Sequence, residues 1–127
     1  MCLVSVIIPN YAKNIRACLK SVLNQSLKDI EIICLFDESN YSIFEDFSKM
    51  DDRIRLFSAH ERLNDVYGEY IISIIDVVSS EICEFLYSLS KSQDLDLLYV
   101  PNYDFFIEDD ANLQITPINF TLFYKNK

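Results

Sequence analysis

The side chains best suited to chemistry fall in three short stretches, each directly after an apolar run: Pro9-Asn10-Tyr11, Asp37-Glu38-Ser39 and Asp76-Val77-Val78. An ionised aspartate accepts hydrogen bonds and offers hard oxygen ligands to divalent cations, and a tyrosine presents a flat apolar ring with a polar tip. His60, the sole histidine, sits beside Glu61-Arg62. An imidazole can act as acid or base near neutral pH, but with no nucleophile placed beside it the residue reads as an exposed loop histidine. Glu108-Asp109-Asp110 has oxygen ligands for a cation, yet three adjacent acids in a turn read as solvated surface. Cys2, Cys18, Cys34 and Cys83 each lie in an apolar segment, without C-x-x-C spacing or a nearby histidine. That pattern argues against zinc and for reduced, buried thiols.

Composition limits the partners. The net charge is −9, from 20 acidic and 11 basic residues, so nucleic acid and anionic lipid surfaces are disfavoured. A local site for an anionic nucleotide needs a divalent cation, backbone N–H groups or a few placed basic residues. No apolar stretch approaches the roughly 20 residues needed to cross a bilayer, so no transmembrane segment is expected. The opening Met1-Cys2-Leu3-Val4 has no basic leader, so a signal peptide is not expected either, and the protein reads as cytoplasmic. A length of 127 residues fits one domain.

Apolar patterning supplies the elements that would position these stretches. Leu3 to Ile8 is β-branched and apolar and stops at Pro9, which predicts a buried strand. Ile15, Cys18, Leu19, Val22 and Leu23 then follow helical spacing. Ile30 to Phe36 predicts a second buried strand, and Ile43, Phe44, Phe47 and Met50 a second helix. Ile54 to Phe57 and Tyr70 to Ile75 predict further strands, the latter introduced by Gly68, the only glycine. Ser79-Ser80-Glu81 ahead of Ile82, Phe85, Leu86 and Leu89 suggests a serine-capped helix, and Leu95 to Val100 another strand. Alternation of this kind predicts an α/β sheet with parallel connections, in which ligands gather at the carboxyl ends of the strands. The three polar stretches would then share one rim. Beyond Pro101, Asn102 to Ile107 and Leu113 to Ile118 read as β-structure around the acidic turn.

Five segments follow one pattern in order. Val4-Ser5-Val6-Ile7-Ile8-Pro9-Asn10-Tyr11 resembles an opening V-S-V-I-I-P-x-Y-N, and Cys18 to Ser26 resembles a helix C-L-x-S-[VI]-L-x-Q-[ST]. Lys28 to Ile33 resembles a strand before D-D-G-S, Asp52-Arg53-Ile54-Arg55 a D-x-R-I-x segment, and Gly68-Glu69-Tyr70-Ile71 a G-[ED]-Y-[IL] segment. Together, the five resemble family 2 glycosyltransferases. The resemblance implies a single domain over 1–127 with a GT-A, Rossmann-like three-layer architecture and a mostly parallel sheet, incomplete at its C-terminal side. Residues 1–100 would form nucleotide-binding βα units and 101–127 a β-rich extension.

The resemblance also implies roles. Pro9, Tyr11, Asp37 and Ser39 would contact the nucleotide, and Asp76 would face a metal, Mg²⁺ or Mn²⁺, bound with a nucleotide-diphosphate sugar. The catalytic base is unknown, because in the family it usually lies in an acceptor half that the likeness does not reach. Several positions depart from the pattern. D-D-G-S becomes Phe36-Asp37-Glu38-Ser39, D-x-D becomes Ile75-Asp76-Val77, and Ala12 replaces an asparagine. The segment from Phe57 to Gly68 lacks the G-G and R-N of a family helix. Each retained residue has a plainer use: Asp37 capping a helix near Tyr41, Tyr11 packing in the core, Asp76 ending a strand. The implied activity is transfer of a sugar from a nucleotide diphosphate to a saccharide or lipid-linked acceptor. The motif losses favour a competing reading, a degenerate, non-catalytic truncated paralogue acting as a binding or interaction module. Eight tyrosines and nine phenylalanines suggest exposed apolar surface, covered by a homo- or hetero-oligomer.

Overall fold

Alternation along the first strand sets the layers. In β1 (Val4–Ile8), Val4, Val6 and Ile8 point to one face of the sheet while Ser5 and Ile7 point to the other. The first set joins a core built with α1 (Ile15–Leu23), β2 (Ile30–Phe36), α2 (Tyr41–Ser48), β3 (Ile54–Ser58), β4 (Tyr70–Ser73) and α3 (Ile82–Gln93). Cys18, Leu19 and Val22 from α1, Phe44 and Phe47 from α2, and Cys83 and Leu86 from α3 all enter this one cluster. All three described helices therefore cover the same face. The computed structural model describes the backbone at residues 1–63, 65–109 and 112–127, and side chains within those ranges except at 101–120.

Two long strands, β5 (Leu97–Asp109) and β6 (Asn112–Lys125), complete a six-stranded sheet of order β3-β2-β1-β4-β6-β5. The first four strands are parallel, and β6 is antiparallel to both β4 and β5. β5 therefore runs in the same sense as β4, as the βαβ pattern suggests, but with β6 slotted between them. The mixed α/β class and the mostly parallel sheet agree with the sequence. Of the three layers expected, the described elements build the sheet and one helical layer. The other face carries Leu97, Tyr99, Leu122 and Tyr124, exposed at 43, 65, 41 and 39%, which is where the expected apolar surface lies.

Several boundaries differ from the sequence expectations. β1 begins at Val4, although Leu3 continues the ladder by donating its N–H to Asp29 O at 2.7 Å and accepting from Tyr70 N–H at 3.1 Å. β4 ends at Ser73, with Ile74 N–H still bonded to Ile7 O at 2.9 Å. β5 passes Pro101 without a break, which a strand tolerates at a sheet edge because the missing N–H is not needed there. The helix α3 has Glu81 as its N-cap and no side-chain cap bond, so the expected serine cap is absent. Instead Gln25 Oε1 accepts the Cys83 N–H at 3.0 Å from a different element. That bond turns Cys83 inward, and Cys83, Leu86 and Ser90 form the buried face while Phe85 is 60% exposed. The thiols of Cys18, Cys34 and Cys83 are buried, and burial pushes them up to about 11, about 12 and about 12. Cys2 is only partly buried.

A polar network crosses the face opposite the described helices. Glu31, 7% exposed, accepts from the Ser5 hydroxyl at 2.5 Å, from Tyr67 N–H at 2.6 Å and from Arg55 Nη1 at 2.6 Å. Arg55 also donates to Asp65 O at 2.6 Å and lies over the rings of Phe57 and Tyr67, 5.1 and 4.8 Å from their centroids. Gly68 N–H donates to Ser5 Oγ at 2.8 Å, completing the link between the connection preceding β4 and the middle of the sheet. Burial alone would raise the Glu31 carboxyl, but the Ser5, Tyr67 and Arg55 hydrogen bonds outweigh it and hold the group below the usual carboxylate range.

Candidate functional site

Because β1, β2, β3 and β4 are parallel, their carboxyl ends lie on one edge of the sheet. The loop after β1 ties that edge together in both directions. Toward β2, Asn10 Nδ2 donates to Asp37 Oδ2 at 3.1 Å, and the buried Asn40 donates to Asn10 O at 3.0 Å while accepting the Asp37 N–H at 2.8 Å. Toward β4, Lys13 N–H donates to Ile75 O at 2.7 Å and Asn14 Nδ2 to Asp76 Oδ1 at 3.5 Å. Asn14 has φ 49°, a left-handed conformation that asparagine tolerates better than most residues. The three polar stretches thus share a rim, as the strand pattern predicts.

Asp37 does not cap α2. Its Oδ1 accepts from the Ser39 hydroxyl at 2.6 Å and the Ser39 N–H at 2.9 Å, which shapes the turn leading into the helix. The N-cap of α2 is Asn40, and its amide is committed to the neighbouring loops. The Ser39 hydroxyl first, and then the Asn10 amide, hold the Asp37 carboxyl below its ordinary range, so it is an anion at neutral pH. Glu38, in place of a family glycine, does not adopt a positive φ, so the turn here needs no glycine.

An open cleft of about 950 Å³ lies between the ends of β2 and β3, lined by Phe36, Asp37, Glu38, Ser39, Tyr41, Ser58 and His60. Phe36 meets Tyr41 edge to face at 4.7 Å, and the two rings add apolar surface to the cleft's lining. His60 is exposed, as its loop position suggests, yet sequence reasoning missed its place in the cleft. The signal was the strand register, since Phe36 pairs with Ser58 and the residues after each must be neighbours.

Tyr11 overturns the expectation of core packing: its ring is 72% exposed. Ala12 N–H bonds Pro9 O at 3.1 Å, closing a turn that buries Pro9 and Ala12 and directs Tyr11 outward. Asp76 lies on the same rim but lines a separate pocket of about 80 Å³ with Ile72, Ile74, Val78 and Ile82 among others. Its Oδ1 accepts Val77 N–H at 2.8 Å in addition to Asn14, whereas Oδ2 has no partner among the described residues. The described residues include no group of three or more histidine, cysteine or carboxylate side chains arranged for a metal. One open carboxylate oxygen still suits Mg²⁺ or Mn²⁺ when phosphate and water supply the remaining ligands. The side chains of Glu108-Asp109-Asp110 lie outside the described residues.

A parallel sheet with helices on its connections and a polar rim at the strand ends defines an α/β fold of the Rossmann-like kind. The family model described as glycosyl transferase family 2 matches residues 5–68, and the chain belongs to that family. It is 28% identical to glycosyltransferase GlyG of Streptococcus pneumoniae serotype 4, over 87% of this chain and 42% of that protein. It is 33% identical to a cholesterol galactosyltransferase of Borreliella burgdorferi, over 82% of this chain and 34% of that one. The chain thus spans less than half the length of these relatives. Residues 1–349 of S. aureus TarS have a similar fold, with a TM-score of 0.66 at 17% identity, covering 97% of this chain and 47% of that one. The TarS complex with UDP gives a TM-score of 0.61 at 18% identity, over 78% and 35% of the two chains. These likenesses carry the GT-A fold. No described helix is long and apolar enough to cross a membrane.

Proposed function

We propose that this chain binds the donor of a glycosyl transfer, a nucleotide-diphosphate sugar, for delivery to a saccharide or lipid-linked acceptor. The observation that carries the reading is the anionic Asp37, oriented by Ser39 and Asn10 beside an open cleft on the strand-end rim of a family 2 chain. Asp37 accepts hydrogen bonds from the nucleoside, and Ser39 keeps the carboxylate aimed. Tyr11 offers an exposed ring face to the base beside Pro9. Asp76, through Oδ2, would hold a divalent cation together with the diphosphate, and a cation bound there would supply the positive charge that a diphosphate leaving group requires. No described residue takes the role of acceptor base. Three buried free thiols fit a cytoplasmic setting. Nothing in the fold or among the relatives favours the non-catalytic alternative.

Calorimetric titration with UDP and UDP-sugars, with and without Mn²⁺, tests the reading. Micromolar, Mn²⁺-enhanced binding is the expected result. Asp76→Ala should remove the Mn²⁺ enhancement, and Asp37→Ala should weaken binding about tenfold with or without the metal. Absence of binding to every nucleotide and nucleotide sugar tried would refute it.

A further inference from the structure

Gln25, one residue beyond the C-cap of α1, is fully buried and commits its amide to backbone groups. Its Nε2 donates to Ser21 O at 3.0 Å and to Ser79 O at 2.7 Å, and its Oε1 accepts the Cys83 N–H at 3.0 Å. Two neighbours extend the same contact. The Ser21 hydroxyl accepts the Val78 N–H at 3.2 Å, and Ser26 N–H donates to Ser80 O at 2.7 Å. Backbone groups from Val78 to Cys83 are thereby tied to the tail of α1. At the other end of the same helix, Lys13 and Asn14 hold Ile75 and Asp76. α1 acts as a splint about 14 Å long, with Asp76 at the edge of one point of attachment and only Val77 between it and the other.

We infer that Gln25 is a positioning residue for Asp76, fixing the chain just beyond the carboxylate so that its aim at a diphosphate-bound cation depends on an amide that touches neither. The inference rests on the role proposed for Asp76. Its physical basis is the cost of leaving a buried backbone group unpaired. Without the Gln25 amide, the buried Cys83 N–H loses its acceptor and Ser79 O keeps only the Ile82 N–H at 3.4 Å, so the segment carrying Asp76 is held less firmly.

Gln25→Leu keeps side-chain bulk without the amide, and Ser21→Ala is a milder variant that removes the acceptor for Val78 together with a local donor to Cys18 O within α1. Amide hydrogen exchange and UDP affinity, with and without Mn²⁺, are measured on both. The expected result is exchange at least about tenfold faster across 77–83, with 37–41 unchanged. Metal-free UDP affinity stays within about twofold, while the gain from Mn²⁺ falls about tenfold in Gln25→Leu and less in Ser21→Ala. Exchange that rises evenly through the sheet, or an intact Mn²⁺ gain despite faster exchange at 77–83, overturns the inference. Exchange is read without nucleotide, so failure of the unsubstituted chain to bind UDP sinks the proposed function separately. Unchanged exchange at 77–83 would still overturn the placement of Gln25.

Discussion

Gly68→Ala is expected to destabilise the chain by about 3 kcal/mol or more, read as a lower midpoint in urea unfolding. The reason is space rather than backbone freedom, since Gly68 does not have a positive φ. A Cβ at this position would overlap the backbone of Val4 and Ser5 and the Ser5 hydroxyl. Backbone in the buried middle of a sheet cannot step aside as the end of a flexible side chain can. The displaced groups would also be those that pair Ser5 with Gly68 N–H and Glu31, so overpacking and lost hydrogen bonds add. A loss below about 1 kcal/mol would show that the connection before β4 shifts outward without breaking the Ser5 contacts.

Arg55→Met should cost about 3 kcal/mol at neutral pH, because it leaves the buried Glu31 carboxylate without its cation. The guanidinium also fills the space between Phe57 and Tyr67, a contact that methionine only partly replaces. The pH dependence follows from the depressed Glu31 carboxyl. In the unsubstituted chain, its stabilising contribution is present above the unfolded value of about 4.3 and is lost as pH falls through the lower folded value. Removing Arg55 takes away one of the hydrogen bonds that oppose burial, so the folded pKa of Glu31 rises and protonation relieves the unpaired charge. The stability gap between the two proteins should therefore narrow as the pH is lowered from 7 toward 4. A gap that stays constant over that range would mean that Arg55 acts by packing alone.

The sequence carried the local part of this fold well. The run Ile30 to Phe36 is β2 to the residue, since a short, mostly apolar run with three isoleucines has few other uses. The α1 face of Cys18, Leu19 and Val22 follows from spacing alone. The rim was legible too, because parallel strands must end together and each of the polar stretches follows one of them. What escaped was set by partners distant in sequence. The buried bonds of Asn40, Gln25 and Glu31 reach across as many as 58 residues, and nothing local distinguishes these side chains from solvated ones. Gln25 also explains the misread start of α3, since an amide from another element bonds the N–H of Cys83. Tyr11 was misjudged because the closed turn at Pro9 and Ala12, rather than hydrophobicity, decides which way the ring points.

The place of β6 between β4 and β5 has a bearing on synthesis. The ribosome makes the neighbours on either side before it makes the strand that joins them. Until residues near Phe123 emerge, the nascent chain holds β4 as an unprotected sheet edge and Tyr70 without the ring that will stack on it. The parallel half can assemble during translation, whereas the seam at β4 closes late, and that interval is when a chaperone or a stray strand has access to it.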